Sequence, residues 1–123
     1  MPKRVLDVGQ CNPDHASLSR FLTSHFDVEV DRAHKLDDTL SKLRTQNYDL
    51  VMINRKLDID HSEGMEILRT IKSDDVLKTT PVVLISNFPD AQDAAVKEGA
   101  MPGFGKAELG SPKTKERVTA ILG

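Results

Sequence analysis

The sequence predicts an α/β protein in which helices cover both faces of a five-stranded parallel sheet. Short apolar runs alternate with amphipathic segments five times along the 123 residues, which is the pattern of βα units. The runs at residues 50–53 and 82–85 are continuous rather than alternating, as is typical of strands buried on both faces. No linker, repeat or low-complexity tract interrupts this order, so a single domain is predicted over residues 1–123.

Composition and charge narrow the class of protein. Hydrophobic residues make up 38% of the chain and charged residues 29%, which is ordinary for a soluble globular domain. The formal net charge of -2 favours neither a nucleic-acid partner nor a membrane surface. No stretch approaches the roughly 18 apolar residues that span a bilayer. A single cysteine, Cys11, excludes an internal disulfide framework and fits a reducing compartment, so the predicted location is the cytoplasm.

The first two βα units follow from the spacing of apolar residues. The first strand is predicted at residues 5–8, and the second around Val28 and Val30. Asn12 is expected to cap helix 1, with Pro13 at its first position, where the missing N–H costs nothing. The apolar residues at helical spacing are Leu18, Phe21, Leu22 and His25 or Phe26 in helix 1, and Leu36, Leu40 and Leu43 in helix 2.

The last three units are assigned in the same way. Ser62 is predicted to open helix 3, Pro89 to start a small-residue helix 4, and Ser111 to start helix 5. A weak strand 5 is expected at residues 101–104. The apolar positions of these helices are Met65, Leu68 and Ile71 or Lys72 in helix 3, Ala91, Ala94 and Ala95 in helix 4, and Val118, Ile121 and Leu122 in helix 5.

Five parallel strands with right-handed crossovers leave few arrangements, and the flavodoxin-like doubly wound order 2-1-3-4-5 is predicted. In such sheets function lies at the carboxyl ends of the strands, near the switch point between strands 1 and 3. Asn54 stands at the end of predicted strand 3. An amide there also commonly caps nearby backbone, and this structural role is compatible with a former catalytic position.

Three segments carry a resemblance to a known family. They are "YDLVMIN", a strand ending in Asn54, "PVVLIS", a strand ending in Ser86, and "EGAMPGFGKAEL", which holds Phe104 and Lys106. In this order and spacing, over essentially the whole chain, they resemble the receiver domain of bacterial two-component response regulators, the CheY-like family. The resemblance puts Asn54 at the phosphoryl-acceptor position, Ser86 at the hydroxyl position, Phe104 at the aromatic position and Lys106 at the lysine position.

The carboxylates of the family's chemistry are missing from the matched positions. Receivers hold Mg²⁺ between an acidic pair after strand 1 and the acceptor aspartate. Here the matching positions are Gly9 and Gln10, or Gln10 and Cys11, and an amide at Asn54 cannot form an acyl phosphate. We therefore expect a pseudo-receiver that needs no metal or other cofactor and is not an enzyme, with Ser86, Phe104 and Lys106 as retained switch residues.

The loop after Asn54 suggests an alternative. "NRKLDIDHSEG" is about two residues longer than the family's usual connection, so displaced carboxylates such as Asp58 or Asp60 could accept a phosphoryl group or bind a metal. A calcium loop is disfavoured, because the glycine falls one position late and Arg69 replaces the bidentate glutamate. A flavin-type ligand ranks last, because "GQCNPDH" lacks the hydroxyl-rich phosphate loop such a ligand needs.

Several single residues also stand out. Lys106 is expected to reach Asn54 or Ser86, with a trans peptide bond to Ala107 where the family usually has proline. Asp7 interrupts the first apolar run and needs a partner if it is buried. Cys11 is expected to be a small buried thiol. No metal-ligand spacing is found among the four histidines, which are His15, His25, His34 and His61.

The expected partner is a protein. In receivers the surface of helix 4, strand 5 and helix 5 contacts an output domain or a second receiver, so the resemblance implies this surface here and leaves a homodimer open. Helix 5 is amphipathic, with Lys113, Lys115 and Arg117 predicted to face away from Val118 and Ile121. Neither direct nucleic-acid binding nor membrane binding is expected.

Overall fold

Five parallel strands form one sheet in the order β2-β1-β3-β4-β5, as the sequence predicts. The structure is a computed structural model that describes residues 2–123. The strands are β1 (Lys3–Val8), β2 (Val28–Ala33), β3 (Leu50–Asn54), β4 (Val82–Ile85) and β5 (Met101–Phe104). The helices are α1 (Asn12–His25), α2 (Leu36–Thr45), α3 (Gly64–Ser73), α4 (Pro89–Lys97) and α5 (Pro112–Leu122), with a short 3-10 turn at Lys106–Glu108.

Alternate side chains of each strand divide the core into two layers. Leu6, Val51 and Leu84 point to one face of the sheet, where they pack with α2, α3 and α4. Their neighbours, which include Val5 and Met52, point to the opposite face and pack with α1 and α5. Both layers are buried, which explains why β3 and β4 are continuously apolar in the sequence.

Two helix starts differ from the prediction. Helix α1 begins at Asn12, so Cys11 rather than Asn12 is its N-cap. Helix α3 begins at Gly64 rather than Ser62, because the backbone N–H and hydroxyl of Ser62 both donate to Asp60 Oδ1, at 2.9 and 2.6 Å, and form a turn. Gly64 then packs so closely on β3 that an added Cβ would overlap the carbonyl oxygen of Asn54.

The remaining predicted helix starts agree with the structure. Pro89 opens α4, and the Ser111 hydroxyl caps α5 by accepting from the N–H of Lys113 at 3.3 Å. Across residues 2–123, no helix has the length and apolar character that crossing a bilayer requires.

Candidate functional site

A cleft of about 210 Å³ lies at the carboxyl ends of β3 and β4. It brings together three of the residues singled out in the sequence, Asn54, Ser86 and Lys106. The other lining residues come from the two loops that follow these strands and from the end of β4, and they are Arg55, Lys56, Ile85, Asn87 and Phe88. The cleft is where the topology of a doubly wound sheet leads a ligand site to be expected.

Asn54 bridges the ends of β3 and β1. Its side chain is half-buried, and Nδ2 donates to the carbonyl oxygen of Gly9 at 3.2 Å. Gly9 has φ +79°, a left-handed conformation that favours glycine, and its carbonyl also accepts from the N–H of Asp58 at 3.0 Å. The amide of Asn54 thus makes a structural contact with one of the positions matched to the acidic pair.

Ser86 and Asn87 use their side-chain oxygens to hold the β4–α4 loop. The buried hydroxyl oxygen of Ser86 accepts from the N–H of Phe88 at 3.1 Å, and Asn87 Oδ1 accepts from the N–H of Ala107 at 3.1 Å. The second contact ties the β4–α4 loop to the β5–α5 loop. Both loops are therefore fixed relative to each other at the mouth of the cleft.

Lys106 lines the cleft with Asn54 and Ser86, but its hydrogen bond goes to a third residue, so the expectation that it reaches Asn54 or Ser86 is wrong. Its Nζ donates to Asp14 Oδ2 at 2.6 Å, and this contact is the main reason that the pKa of the Asp14 carboxyl lies below its ordinary value. Asp14 lies in the first turn of α1, 92 residues away in sequence, and nothing in the local pattern indicates the pairing. The peptide bond between Lys106 and Ala107 is trans, as expected.

Phe104 points into the core and away from the cleft. Its side chain is buried in the layer beneath α1 and α5, with its ring centroid 6.4 Å from that of Phe21. The predicted aromatic position is thus filled by a core residue.

A buried contact between an acid and a histidine, which the sequence did not predict, joins β1 to α1. Asp7, on β1, is fully buried, and its Oδ2 is 2.6 Å from Nδ1 of His15 in the first turn of α1. Burial raises the pKa of Asp7 to about 6, against the opposing effect of His15. Arg32 lies opposite Asp7 on β2 and donates to the carbonyl of Gln10 at 2.8 Å. The interruption of an apolar run by Asp7 was the only sequence signal of this cluster.

The remaining candidate ligands are dispersed. Asp58 and Asp60 are both exposed, and the pKa of Asp60 is lowered chiefly by the hydrogen bond from Ser62. Within residues 2–123, no group of three or more His, Cys, Asp or Glu side chains is placed to hold a metal ion. Cys11 is half-exposed at the N-cap of α1, so the expectation of a buried thiol is wrong, whereas its neighbour Gln10 is buried.

The surface of α4, β5 and α5 carries two exposed apolar side chains, Val96 and Met101. Lys113 and Lys115 are exposed, as predicted. Arg117 is half-buried, and its guanidinium donates to the carbonyl of Gly103 on β5. The prediction that Arg117 faces away from the core side of α5 is therefore wrong, because its long side chain reaches back to the edge strand.

Comparison with known proteins gives one family and many similar folds. The model of the response regulator receiver domain family matches residues 12–107. A search of curated proteins finds no match. Among solved structures, a response regulator from Chloroflexus aurantiacus has a TM-score of 0.79 at 20% identity, with 99% of this chain and 98% of that chain covered.

Two further structures have the same architecture. A response regulator from Thermotoga maritima has a TM-score of 0.79 at 22% identity, with 99% of this chain and 98% of that chain covered. The signal receiver domain of a DNA-binding response regulator from Colwellia psychrerythraea has a TM-score of 0.75 at 23% identity, with 95% of this chain and 98% of that chain covered. Identities this low establish a shared fold, whereas the family match rests on the sequence itself.

Proposed function

The chain belongs to the response regulator receiver domain family, and we propose that it is a protein-interaction module that takes no phosphoryl group at the end of β3. The observation that carries this proposal is the amide at Asn54, which donates to the Gly9 carbonyl at 3.2 Å. An amide is not a carboxylate nucleophile, so an acyl phosphate cannot form there. The proposed role involves binding alone and no enzymatic activity.

The residues at the end of β1 do not fit the Mg²⁺ of phosphoryl transfer. Mg²⁺ prefers carboxylate oxygens and water in near-octahedral geometry. The matched positions are Gly9, Gln10 and Cys11, none of which offers a carboxylate. The two nearest acids along the chain are engaged elsewhere, Asp7 with His15 and Asp14 with Lys106, each at 2.6 Å. These contacts support a receiver that works without metal.

The test is chemical phosphorylation of the full chain. After incubation with acetyl phosphate and Mg²⁺, intact-mass spectrometry should show no phosphoryl adduct, because neither acceptor nor metal ligands are in place. The Asn54→Asp variant should also remain unlabelled, since one restored carboxylate does not rebuild the metal site. An unrelated receiver with a complete acidic site serves as the positive control for the reagent.

Two outcomes would contradict the proposal. Robust Mg²⁺-dependent labelling of Asn54→Asp would mean that the β1 end does bind the metal. Labelling of the unmodified chain that is abolished in an Asp58→Asn, Asp60→Asn double variant would support the alternative, in which an exposed loop carboxylate accepts the phosphoryl group.

The proposed docking surface is formed by α4, β5 and α5. Val96 and Met101 leave 42% and 41% of their surface exposed there, beside the half-buried Arg117. Exposed apolar side chains next to a cation suit an output domain or a second copy of the chain in the cytoplasm. Sedimentation velocity tests whether a second copy of the chain binds at this surface. A dimer that Val96→Asp leaves unaffected would exclude this surface as the dimer contact.

A further inference from the structure

The cleft at the ends of β3 and β4 presents unused hydrogen-bond donors. Ser86 Oγ accepts from Phe88 N, and Asn87 Oδ1 accepts from Ala107 N, each at 3.1 Å. Because these oxygens are held by backbone N–H groups, the Ser86 hydroxyl hydrogen and the Asn87 amide hydrogens are left for another acceptor. None of the side-chain and backbone acceptors in residues 2–123 takes them. The neutral side chain of Asn54 lines the same cleft.

Three cations also line this cleft, and no carboxylate does. Lys106 is paired with Asp14 at 2.6 Å, and Lys56 lies 3.6 Å from Glu63 at a half-exposed site. Arg55 has no carboxylate partner among the described residues. The positive charge that remains without a counter-charge is therefore centred on Arg55, which favours a singly charged anion.

Phe88 fixes the place of that charge. Its ring is 61% exposed at the rim of the cleft, and the Arg55 guanidinium lies 5.3 Å from the ring centroid. Such stacking restrains the guanidinium while leaving its N–H groups available to an oxyanion. A large exposed aromatic beside the donors also suits a polypeptide segment better than a free ion.

We propose that the cleft binds a carboxylate side chain from an acidic segment of a partner protein. The partner's carboxylate accepts from Ser86, Asn87 and Arg55, and it supplies from outside the negative charge that the amide of Asn54 lacks. This inference rests on the proposed function, because a phosphorylated Asn54 position would already fill the cleft. The inference adds to the proposed function a second site of contact with a partner protein, which is separate from the surface of α4, β5 and α5.

The experiment is a titration of the full ¹⁵N-labelled chain followed by amide spectra at constant ionic strength. The probes are N-acetyl-aspartate N-methylamide, its asparagine counterpart and inorganic phosphate. We expect the aspartate probe to give saturable shifts of the amides of Arg55, Asn87 and Lys106. The asparagine counterpart should give none, since it lacks the charge that the donors and Arg55 select.

Substitutions then separate the cleft from general charge effects. Arg55→Met should weaken the binding of the aspartate probe about tenfold, because the charge-assisted hydrogen bond from the guanidinium is lost. Lys3→Met removes the same charge from an exposed site at the opposite end of β1 and should leave the affinity unchanged. Asn54→Asp should abolish binding, because its own carboxylate then fills the cleft.

The proposal is overturned by equal shifts from the asparagine counterpart, or by the absence of saturable shifts. It is also overturned if phosphate binds ten times more tightly than the aspartate probe, since the cleft would then be a site for free phosphate. These readouts are separate from the mass measurement that tests phosphorylation. If the titration fails, the proposed function still stands. If the mass measurement shows phosphorylation, the premise of this inference is removed.

Discussion

Two consecutive residues in the first turn of α1 make side-chain contacts of the same length in opposite surroundings. His15 contacts Asp7 of β1, and Asp14 contacts Lys106 of the β5–α5 loop, each with a shortest N to O distance of 2.6 Å. The side chain of Asp7 has no exposed surface, whereas that of Asp14 is 38% exposed. The pKa of Asp7 is raised to about 6, and that of Asp14 is lowered.

The different exposure of the two acids accounts for the opposite directions of their pKa changes. For Asp7 the loss of water outweighs the attraction of His15, so its pKa is raised and the neutral acid persists to a higher pH than in a free aspartate. For Asp14 water still reaches the carboxylate, and the hydrogen bond from Lys106 dominates. Both pairs fasten the same helical turn, but removing one partner should be costly only for the buried pair, because it leaves a buried polar group without its hydrogen bond.

The largest expected effect comes from removing the partner of the buried acid. His15→Ala should lower the free energy of unfolding by about 3 kcal/mol near pH 7, because it leaves the Asp7 carboxyl buried without its hydrogen-bond partner. The loss should be smaller near pH 5, where Asp7 can stay protonated. Urea denaturation at the two pH values measures both quantities.

His25→Ala is the matched control, since it makes the same change on the same helix at an exposed site. It removes a ring contact with Phe21 and should cost less than about 1 kcal/mol. A loss from His15→Ala no larger than that of the control would mean that the buried pair contributes little.

The second effect is the pH dependence that Asp7 itself produces. Its pKa is about 6 in the folded protein against an ordinary value of 3.8, so the folded state binds the proton more tightly. The contribution of Asp7 to stability is therefore complete below about pH 4 and is lost as the pH rises through about 6. The resulting change in the free energy of unfolding is about 2–3 kcal/mol.

Comparing the wild type with Asp7→Asn isolates that change from the titration of other acids. The difference in unfolding free energy between the two proteins should move in favour of the variant as the pH rises from about 4 to 7. A difference that stays constant over this range would show that Asp7 titrates alike in the folded and unfolded chains.

The fold was predictable because its signals are local. Continuous apolar runs at residues 50–53 and 82–85 require burial on both faces, and the apolar spacing of the intervening segments requires helices. The helix starts at Asn12 and Gly64 were displaced by one and two residues, since loop hydrogen bonds such as those of Ser62 decide where a helix begins. The strand order followed from the few topologies available.

The contacts of the site were less predictable because they depend on tertiary placement. Asn54, Ser86 and Lys106 could be placed at one end of the sheet, but the partner of Lys106 comes from the far end of the chain. The reach of Arg117 back to β5 depends on the rotamer of a long side chain. The partner of Asp7 depends on how the first turn of α1 lies over β1, which residue spacing does not define.

The smallest expected effect is the loss of the exposed pair. Asp14→Asn should cost about 0.5 kcal/mol near pH 7, because water solvates the released charge of Lys106. Since the folded pKa of Asp14 is lowered, this stabilisation is present above the ordinary value of 3.8 and is lost as the pH falls below it, opposite in sign to Asp7. About 0.5 M NaCl should reduce it further.

Asp37→Asn is the control for Asp14→Asn, because it removes an exposed acid from the first turn of α2 with the same change in charge. The difference between the two variants in urea denaturation then reports the contact with Lys106 rather than the helix terminus. If Asp14→Asn costs more than about 2 kcal/mol beyond this control, or if salt leaves the difference unchanged, the Lys106 contact is far less solvated than its exposure indicates. The contrast between the buried and the exposed contact of α1 would then lose its physical basis.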